Sequence, residues 1–378
     1  MKLNKKLNVL FVCGWYPSKV FPTNGDFIQR HAQAVSINHK VSVLHIVSRK
    51  ENEEEISIEH EIKDNINSYI AYIKPSKIIF LKIYRFIQAY SRIISIIGHI
   101  EIVHLNILYP FGLIAIYLKL MKNIPFIISE HWSGYQDIHS NKISFFEKTI
   151  SKIITNNASF ICPVSINLKL SMENFGLKGS YMPVPNVVDT NLFQPGIKKN
   201  KRFTLVHISS LKDDPKNISG MLRVAKKLED TIGYFNWKFI GGKSDYFELL
   251  IKKLDFQQAK IEFIGHLAQK NLVTHLQSAN VFVLFSNYEN LPCVVLESFS
   301  CGIPVIATDV GGISEYFPEK FGYLIPKQNQ VKLLEKILEE HAHPNKSKRE
   351  MSDYARNKFS KKTISKIFSS LYFKAINA

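Results

Sequence analysis

Short apolar runs alternate with segments of helical period along most of the chain, the pattern of a largely parallel sheet covered on both faces by helices. In the first half the runs are 7–13 (LNVLFVC), 40–47 (KVSVLHIV), 102–106 (IVHLN), 125–131 (PFIISEH) and 159–165 (SFICPVS), and each predicts a buried strand. Amphipathic helices are expected between them, notably over 26–37, 78–97, 111–121 and 142–156. Residues 186–202 (NVVDTNLFQPGIKKNKR) lose the periodicity, contain Pro195 and Gly196, and end in a basic run, so they read as a linker. The rhythm restarts with strands at 203–209, 237–242, 260–265, 281–286 and 304–310 and helices at 218–228, 270–278 and 292–300. Two successive α/β units predict two doubly wound domains, which bind ligands at the carboxyl ends of their strands and would face each other across a crevice.

Length and composition agree with that picture: 378 residues exceed what one core usually supports, and 46% hydrophobic against 21% charged residues is a globular balance. Cys13, Cys162, Cys293 and Cys301 form no C-x-x-C pair and sit in apolar stretches, which suits buried thiols and a reducing cytosol. The basic, briefly apolar N-terminus ends in Gly-Trp-Tyr-Pro without a small-residue cleavage site and reads as a first strand. The longest uncharged apolar stretch, 105–118, contains Asn106 and Pro110 and is too short to cross a bilayer.

Charge adds a partner class. The formal net charge is +17, which draws anionic company: nucleic acid, a membrane surface or a phosphorylated substrate. No zinc-finger spacing, RNP-like aromatic motif or heptad-linked basic region accompanies it, which argues against nucleic acid. Residues 65–100 hold Lys74, Lys77, Lys82, Arg85 and Arg92 and no acid. Within them the helix over 78–97 is expected to gather Ile79, Ile83, Phe86, Ile87, Tyr90, Ile94 and Ile97 on one face, with Lys82, Arg85, Gln88, Arg92 and Ser95 opposite. The basic face is either merely solvated or docked on anionic lipid.

Candidate chemistry concentrates in 286–312, SNYENLPCVVLESFSCGIPVIATDVGG. Glu289 follows a strand, Asn290, Leu291 and Pro292 make the turn, and Glu297 lies one to two turns inside the next helix. Unpaired amides at such a helix start can meet a phosphate or sugar oxygen. The plainer alternative is a helix N-terminus with a favourable acid and a solvated Glu297. Other motifs fail: GGKS (241–244) has Trp237 where a phosphate loop needs its first Gly, no G-x-G-x-x-G follows the first strand, and no G-x-S-x-G occurs.

The run E-N-L-P-x-x-x-x-E followed by S-x-x-C-G-I-P-V-I-A-T-D-V-G-G resembles the E-x7-E signature of the group-1 (family 4) retaining glycosyltransferases. The resemblance implies a GT-B fold: 1–190 as an acceptor-side Rossmann-like domain, 191–358 as the nucleotide-sugar domain, and 359–378 as a helix returning to the first. It implies that Glu289 contacts the donor sugar, that Glu297 holds the ribose hydroxyls, and that the segment of Asn290, Leu291, Pro292 and Val294 runs along sugar and pyrophosphate. In HISSLKDDPKN (207–217), Lys216 matches the lysine of the family's diphosphate clamp and Asn217 follows it, whereas Ser210 occupies the arginine position. GWYPSKVFPTNGDF (14–27) resembles the family's N-terminal loop, with Gly25 allowing close backbone approach and the helix after Asp26 offering its N-terminus to the donor phosphate. His131 in SEHWSGY matches a histidine near donor sugar and acceptor, and PVPNVVD (183–189) matches a P-N-G-V-D segment with Val187 in place of Gly, which weakens a direct role for Asn186.

The expected function is therefore metal-independent, retaining, hexosyl-type transfer from a nucleoside diphosphate sugar, with no further cofactor, to an acceptor in polysaccharide or lipid-linked glycan synthesis. The expected place is the cytoplasm, peripheral at the inner membrane face. A nucleotide-sugar epimerase or phosphorylase of the same fold, or a non-catalytic anionic-lipid or nucleic-acid binder, are the alternatives.

Overall fold

The computed structural model describes residues 5–51, 54–136, 140, 142–196, 202–242, 245–344 and 346–378. The end of the expected linker (197–201) and the Lys243–Ser244 end of GGKS lie outside them. The chain divides into two compact units, Met1–Val187 with Lys361–Ala378, and Val188–Ser360.

In chain order the first unit contains β1 (Asn8–Cys13), α1 (Asp26–Val35), β2 (Lys40–Ser48), β3 (Ile56–Lys63), β4 (Ile66–Ile73), α2 (Ile79–Ile97), β5 (Ile102–Asn106), α3 (Gly112–Lys122), β6 (Phe126–Glu130), α4 (Phe145–Asn157), β7 (Phe160–Pro163) and α5 (Ile166–Asn174). The second contains β8 (Thr204–Ser209), α6 (Asp213–Lys216), α7 (Ile218–Ile232), β9 (Asn236–Gly241), α8 (Glu248–Leu254), β10 (Lys260–Ile264), α9 (Gln269–Ser278), β11 (Val281–Leu284), α10 (Cys293–Ser300), β12 (Val305–Thr308), β13 (Gly322–Ile325), α11 (Gln330–Ala342) and α12 (Lys348–Phe359). The last helix, α13 (Lys361–Ile376), belongs to the first unit, where it packs on α1.

The first sheet has the order β3-β4-β2-β1-β5-β6-β7, parallel except for the β3–β4 hairpin. The second, β10-β9-β8-β11-β12-β13, is wholly parallel. Each is a doubly wound, Rossmann-like sheet whose strand order reverses beside its first strand, between β1 and β5 in one and between β8 and β11 in the other. Right-handed crossovers put α1 on one face of the first sheet and α2, α3 and α4 on the other. The packing agrees: Phe11 and Ile127 share a core with α1 and α13, whereas Leu105 meets the start of α3 and Ile154 of α4. All four cysteines are free thiols.

Two sequence expectations need correction. The hairpin over 56–73 was not anticipated, although its turn residues Asp64 and Asn65 both adopt positive φ (51° and 60°), as a tight two-residue hairpin demands. The second correction is α2, where Ile94 is buried and Lys82, Arg92 and Ser95 are exposed as the pattern expects, but Arg85 and the first isoleucines exchange places. Arg85 is 6% exposed and packs inward with Ala89 and Ile93, while Ile79, Ile83 and Ile87 face outward. Its guanidinium pairs with Glu55 and donates to the Lys74 carbonyl at 2.6 Å. Only Lys82, Arg85, Gln88, Ser91, Arg92 and Ser95 among the helix's 19 residues are polar, so one face cannot hold all the apolar ones. The sheet takes Ala89, Ile93, Ile94 and the paired arginine, while Ile79, Ile83, Ile87 and Ile96 remain outside.

Candidate functional site

In the second unit the candidate residues gather at the carboxyl ends of β8 and β11, neighbours at the reversal of strand order. The chain leaves β11 through buried Phe285 and Ser286, and the Thr308 hydroxyl at the end of β12 holds the Ser286 carbonyl at 2.7 Å. Ser286 Oγ then donates to Glu289 Oε1 at 2.7 Å, and the same carboxylate oxygen pairs with Lys216 Nζ. Lysine and carboxylate are both largely shielded, which strengthens their attraction relative to a solvated pair.

Lys216 ends α6, a single turn fastened to the strand exit opposite. Asn287 donates from its backbone to the Pro215 carbonyl (2.8 Å) and from its side chain to the Asp214 carbonyl (2.5 Å). Tyr288 donates its hydroxyl to Asp214 Oδ2 at 2.7 Å. Asn217 sits in the left-handed region (φ 51°), closing α6 and opening α7, with its side chain folded over Gly220. Asp213 accepts from both the amide and the hydroxyl of Ser219 (2.8 and 2.6 Å), tying down the start of α7. Ser210 is exposed and its carbonyl lies against Gly242, where a Cβ would come within 2.1 Å. The paired glycines of GGKS thus let the exit of β9 press on the exit of β8.

The Glu289–Leu291 turn rests on Gly311, whose φ of 61° and closeness leave no room for a side chain: a Cβ would lie 2.1 Å from the Glu289 carbonyl oxygen. Gly312 donates its amide to the Asn290 carbonyl at 2.8 Å. Leu291 is buried, Pro292 is the N-cap of α10 rather than its first residue, and Val294 lies half-buried in the first turn. Glu297 is 1% exposed within the buried stretch Val295–Ser300, which rules out a solvated face.

In the first unit Gly25 caps α1 in the left-handed region (φ 73°), and a Cβ there would lie 2.6–2.8 Å from the backbone of Trp15 and Tyr16. Its loop therefore folds back on itself, and the Gly25 carbonyl accepts from the amides of Ile28 and Gln29 at the start of α1 (2.9 and 3.1 Å). His131 follows β6 but is only 9% exposed, 4.6 Å from the Phe27 ring and 5.2 Å from the His31 ring. Burial, then the neighbouring His31 and His104, push its pKa well below the usual range against a smaller opposing effect of the nearby Asn186 side chain, so it is neutral at pH 7. Two residues that sequence reasoning undervalued support it. One is Asn186; the other is Glu130, fully buried, which accepts from the amides of His131 and Trp132 at 2.8 Å and of Leu108 at 2.9 Å. Burial raises the pKa of Glu130 against those three amides. The signal was an acid inside an otherwise apolar strand end.

Among the described residues no three His, Cys, Asp or Glu side chains cluster to hold a metal ion, and no helix is long and apolar enough to cross a membrane.

Residues 188–358 match the family model described as glycosyl transferases group 1, and residues 29–192 match glycosyltransferase family 4. An uncharacterized glycosyltransferase of Methanocaldococcus jannaschii is 26% identical over 328 residues, 85% of this chain and 86% of that one. A Bacillus subtilis protein named for teichuronic acid biosynthesis, TuaC, is 21% identical over 92% of both chains. Among solved structures, Anabaena HepE in complex with UDP-glucose superposes with a TM-score of 0.72 at 14% identity, covering 97% of this chain and all of that one.

Proposed function

The chain belongs to the group 1, family 4 glycosyltransferases, with the GT-B fold, and we propose that it moves a hexosyl-type sugar from a nucleoside diphosphate sugar to an acceptor hydroxyl with retention of configuration. The observation that carries this reading is the Lys216–Glu289–Ser286 cluster, fixed where two strands end and beside the start of α10. In the reaction the bond between anomeric carbon and diphosphate oxygen breaks, and the acceptor oxygen bonds to that carbon on the same face. The acceptor proton passes to the departing diphosphate oxygen. Lys216 steadies the charge that grows on the diphosphate, assisted by helix-start amides, without calling on a metal. Glu289 orients the sugar and Glu297 anchors the ribose hydroxyls. HepE, whose structure contains UDP-glucose, supports a uridine-type donor. In the first unit we assign neutral His131, supported by Glu130 and flanked by Asn186, as the sugar- and acceptor-side group.

We place the reaction in the cytoplasm at the inner face of a membrane, with a polysaccharide or lipid-linked glycan as acceptor; a relative named for teichuronic acid biosynthesis supports that class. The test is to incubate the protein with UDP-glucose and other nucleoside diphosphate sugars, with and without glycan acceptors, and read product configuration by proton NMR. Retained configuration and turnover that persists in EDTA are expected. Inverted product, loss of turnover in EDTA restored by manganese, or conversion of donor alone would each reject a part of the reading. Glu297→Gln should raise donor KM, whereas Glu289→Gln should chiefly lower kcat, because contacts to ribose act alike in ground and transition states.

A further inference from the structure

The outward turn of α2 leaves a surface that the reaction does not use. Ile79 (58% exposed), Phe80 (80%), Ile83 (48%) and Ile87 (61%) stand on the side of the helix opposite Arg85 and Ala89. On α3, in the same layer over the sheet, Leu120 (71%) and Met121 (68%) project away from buried Ala115 and Leu118. Neither helix contains an acid, and each carries exposed bases: Lys82 and Arg92 on α2 and Lys122 in the last turn of α3, where Lys119 is held by the Asn157 carbonyl at 2.7 Å. Apolar clusters of this extent on a soluble domain mark an interaction surface.

We propose that the outer faces of α2 and α3 dock on an anionic lipid bilayer, the aliphatic and aromatic side chains entering the headgroup–acyl boundary and the lysines meeting lipid phosphates. The charge pattern selects this occupant. A second copy of the chain would meet this face with itself about a twofold axis, setting lysine against lysine with no acid on either helix to relieve them. A bilayer with anionic headgroups satisfies both the apolar centre and its basic flanks. The inference deepens the membrane part of the proposed function and reverses its expected contact: the isoleucine ridge enters the lipid, and Arg85 is occupied inside the fold.

The full chain is sedimented with phosphatidylcholine vesicles and with vesicles containing phosphatidylglycerol, at low and high salt. Binding to the anionic vesicles, weakened by salt, is expected. A variant with Phe80→Ser, Ile83→Ser and Ile87→Ser should lose about tenfold or more in partitioning. These side chains are exposed, so the melting temperature and the shift induced by UDP should stay those of the parent, which separates this test from that of the transferase reading. A second variant, Leu120→Ser with Met121→Ser, checks α3 alone and should also bind more weakly. Unchanged partitioning of either variant, equal binding to neutral and anionic vesicles, or a dimer mass in light scattering that the serine variant loses would overturn the proposal.

Discussion

Helices α2 and α7 lie on comparable sheets, and their sequences both show a helical period, yet they use it differently. α7 buries Ile218, Met221, Leu222, Ala225 and Leu228 at helical spacing and leaves Arg223 and Lys227 in solvent. Its apolar stripe is about as wide as the sheet can cover. α2 has apolar residues around most of its circumference, so the period does not say which side goes in. The choice fell to Glu55 and the Lys74 carbonyl, partners from a hairpin that the sequence pattern did not reveal. The lesson extends to the units: the second is organised around an ion pair at strand ends, the first presents apolar residues outward.

The largest expected effect separates chemistry from location. Lys216→Ala should lower kcat by about 10²–10³, the scale of losing one preorganised charge at a developing anion, while vesicle binding stays unchanged. Turnover near that of the parent would end the assignment of Lys216. Next, truncating the two helices should give opposite results. Leu228→Ala should cost about 2–5 kcal/mol by urea denaturation, since it opens a cavity in the core. Ile83→Ala, already exposed, should fall within about 0.5 kcal/mol of the parent. Comparable losses would mean that α2 packs as its sequence pattern first suggested.

Arg85→Ala should be intermediate, about 1–3 kcal/mol, because the Lys74 carbonyl loses its charged donor, whereas Glu55 is exposed and can turn to water. A neutral result would make the inward arginine incidental.

The smallest effect per group is acid sensitivity. Burial lowers the pKa of His31 and His39 to about 4, and also lowers His45, His104 and His131, all in the first unit. In the second unit His207, lowered by burial to about 3, and half-buried His275 are the comparable groups among the described residues. The unfolded chain binds these protons first, so stability is full above the unfolded value near 6.5 and falls as pH drops toward the folded values. At pH 5.5 each fully buried histidine should cost about 1 kcal/mol. Hydrogen exchange at pH 7 and 5.5 should show opening free energies in the first sheet dropping more than in the second; equal drops would contradict the burial of the histidine cluster.

By itself the sequence determined the fold class, two doubly wound α/β units, because near-continuous apolar strands and amphipathic helices such as α7 are local patterns with one way to bury their surface. It also placed Glu289 just past a strand end, since a strand exit followed by Asn-Leu-Pro is read from neighbouring residues, whereas Lys216 stood out only through the resemblance of 207–217 to the family's clamp. Only the tertiary structure decided that Lys216 and Ser286 meet on one carboxylate oxygen of Glu289, through the Asp214–Tyr288 and Asn287–Pro215 bonds between segments distant in sequence. It alone decided that Glu130 is spent on three backbone amides, that His131 is neutral, and that α2 turns Ile79, Ile83 and Ile87 outward. Those outcomes depend on burial and on partners brought together by the sheets, and neither period nor motif carries that information.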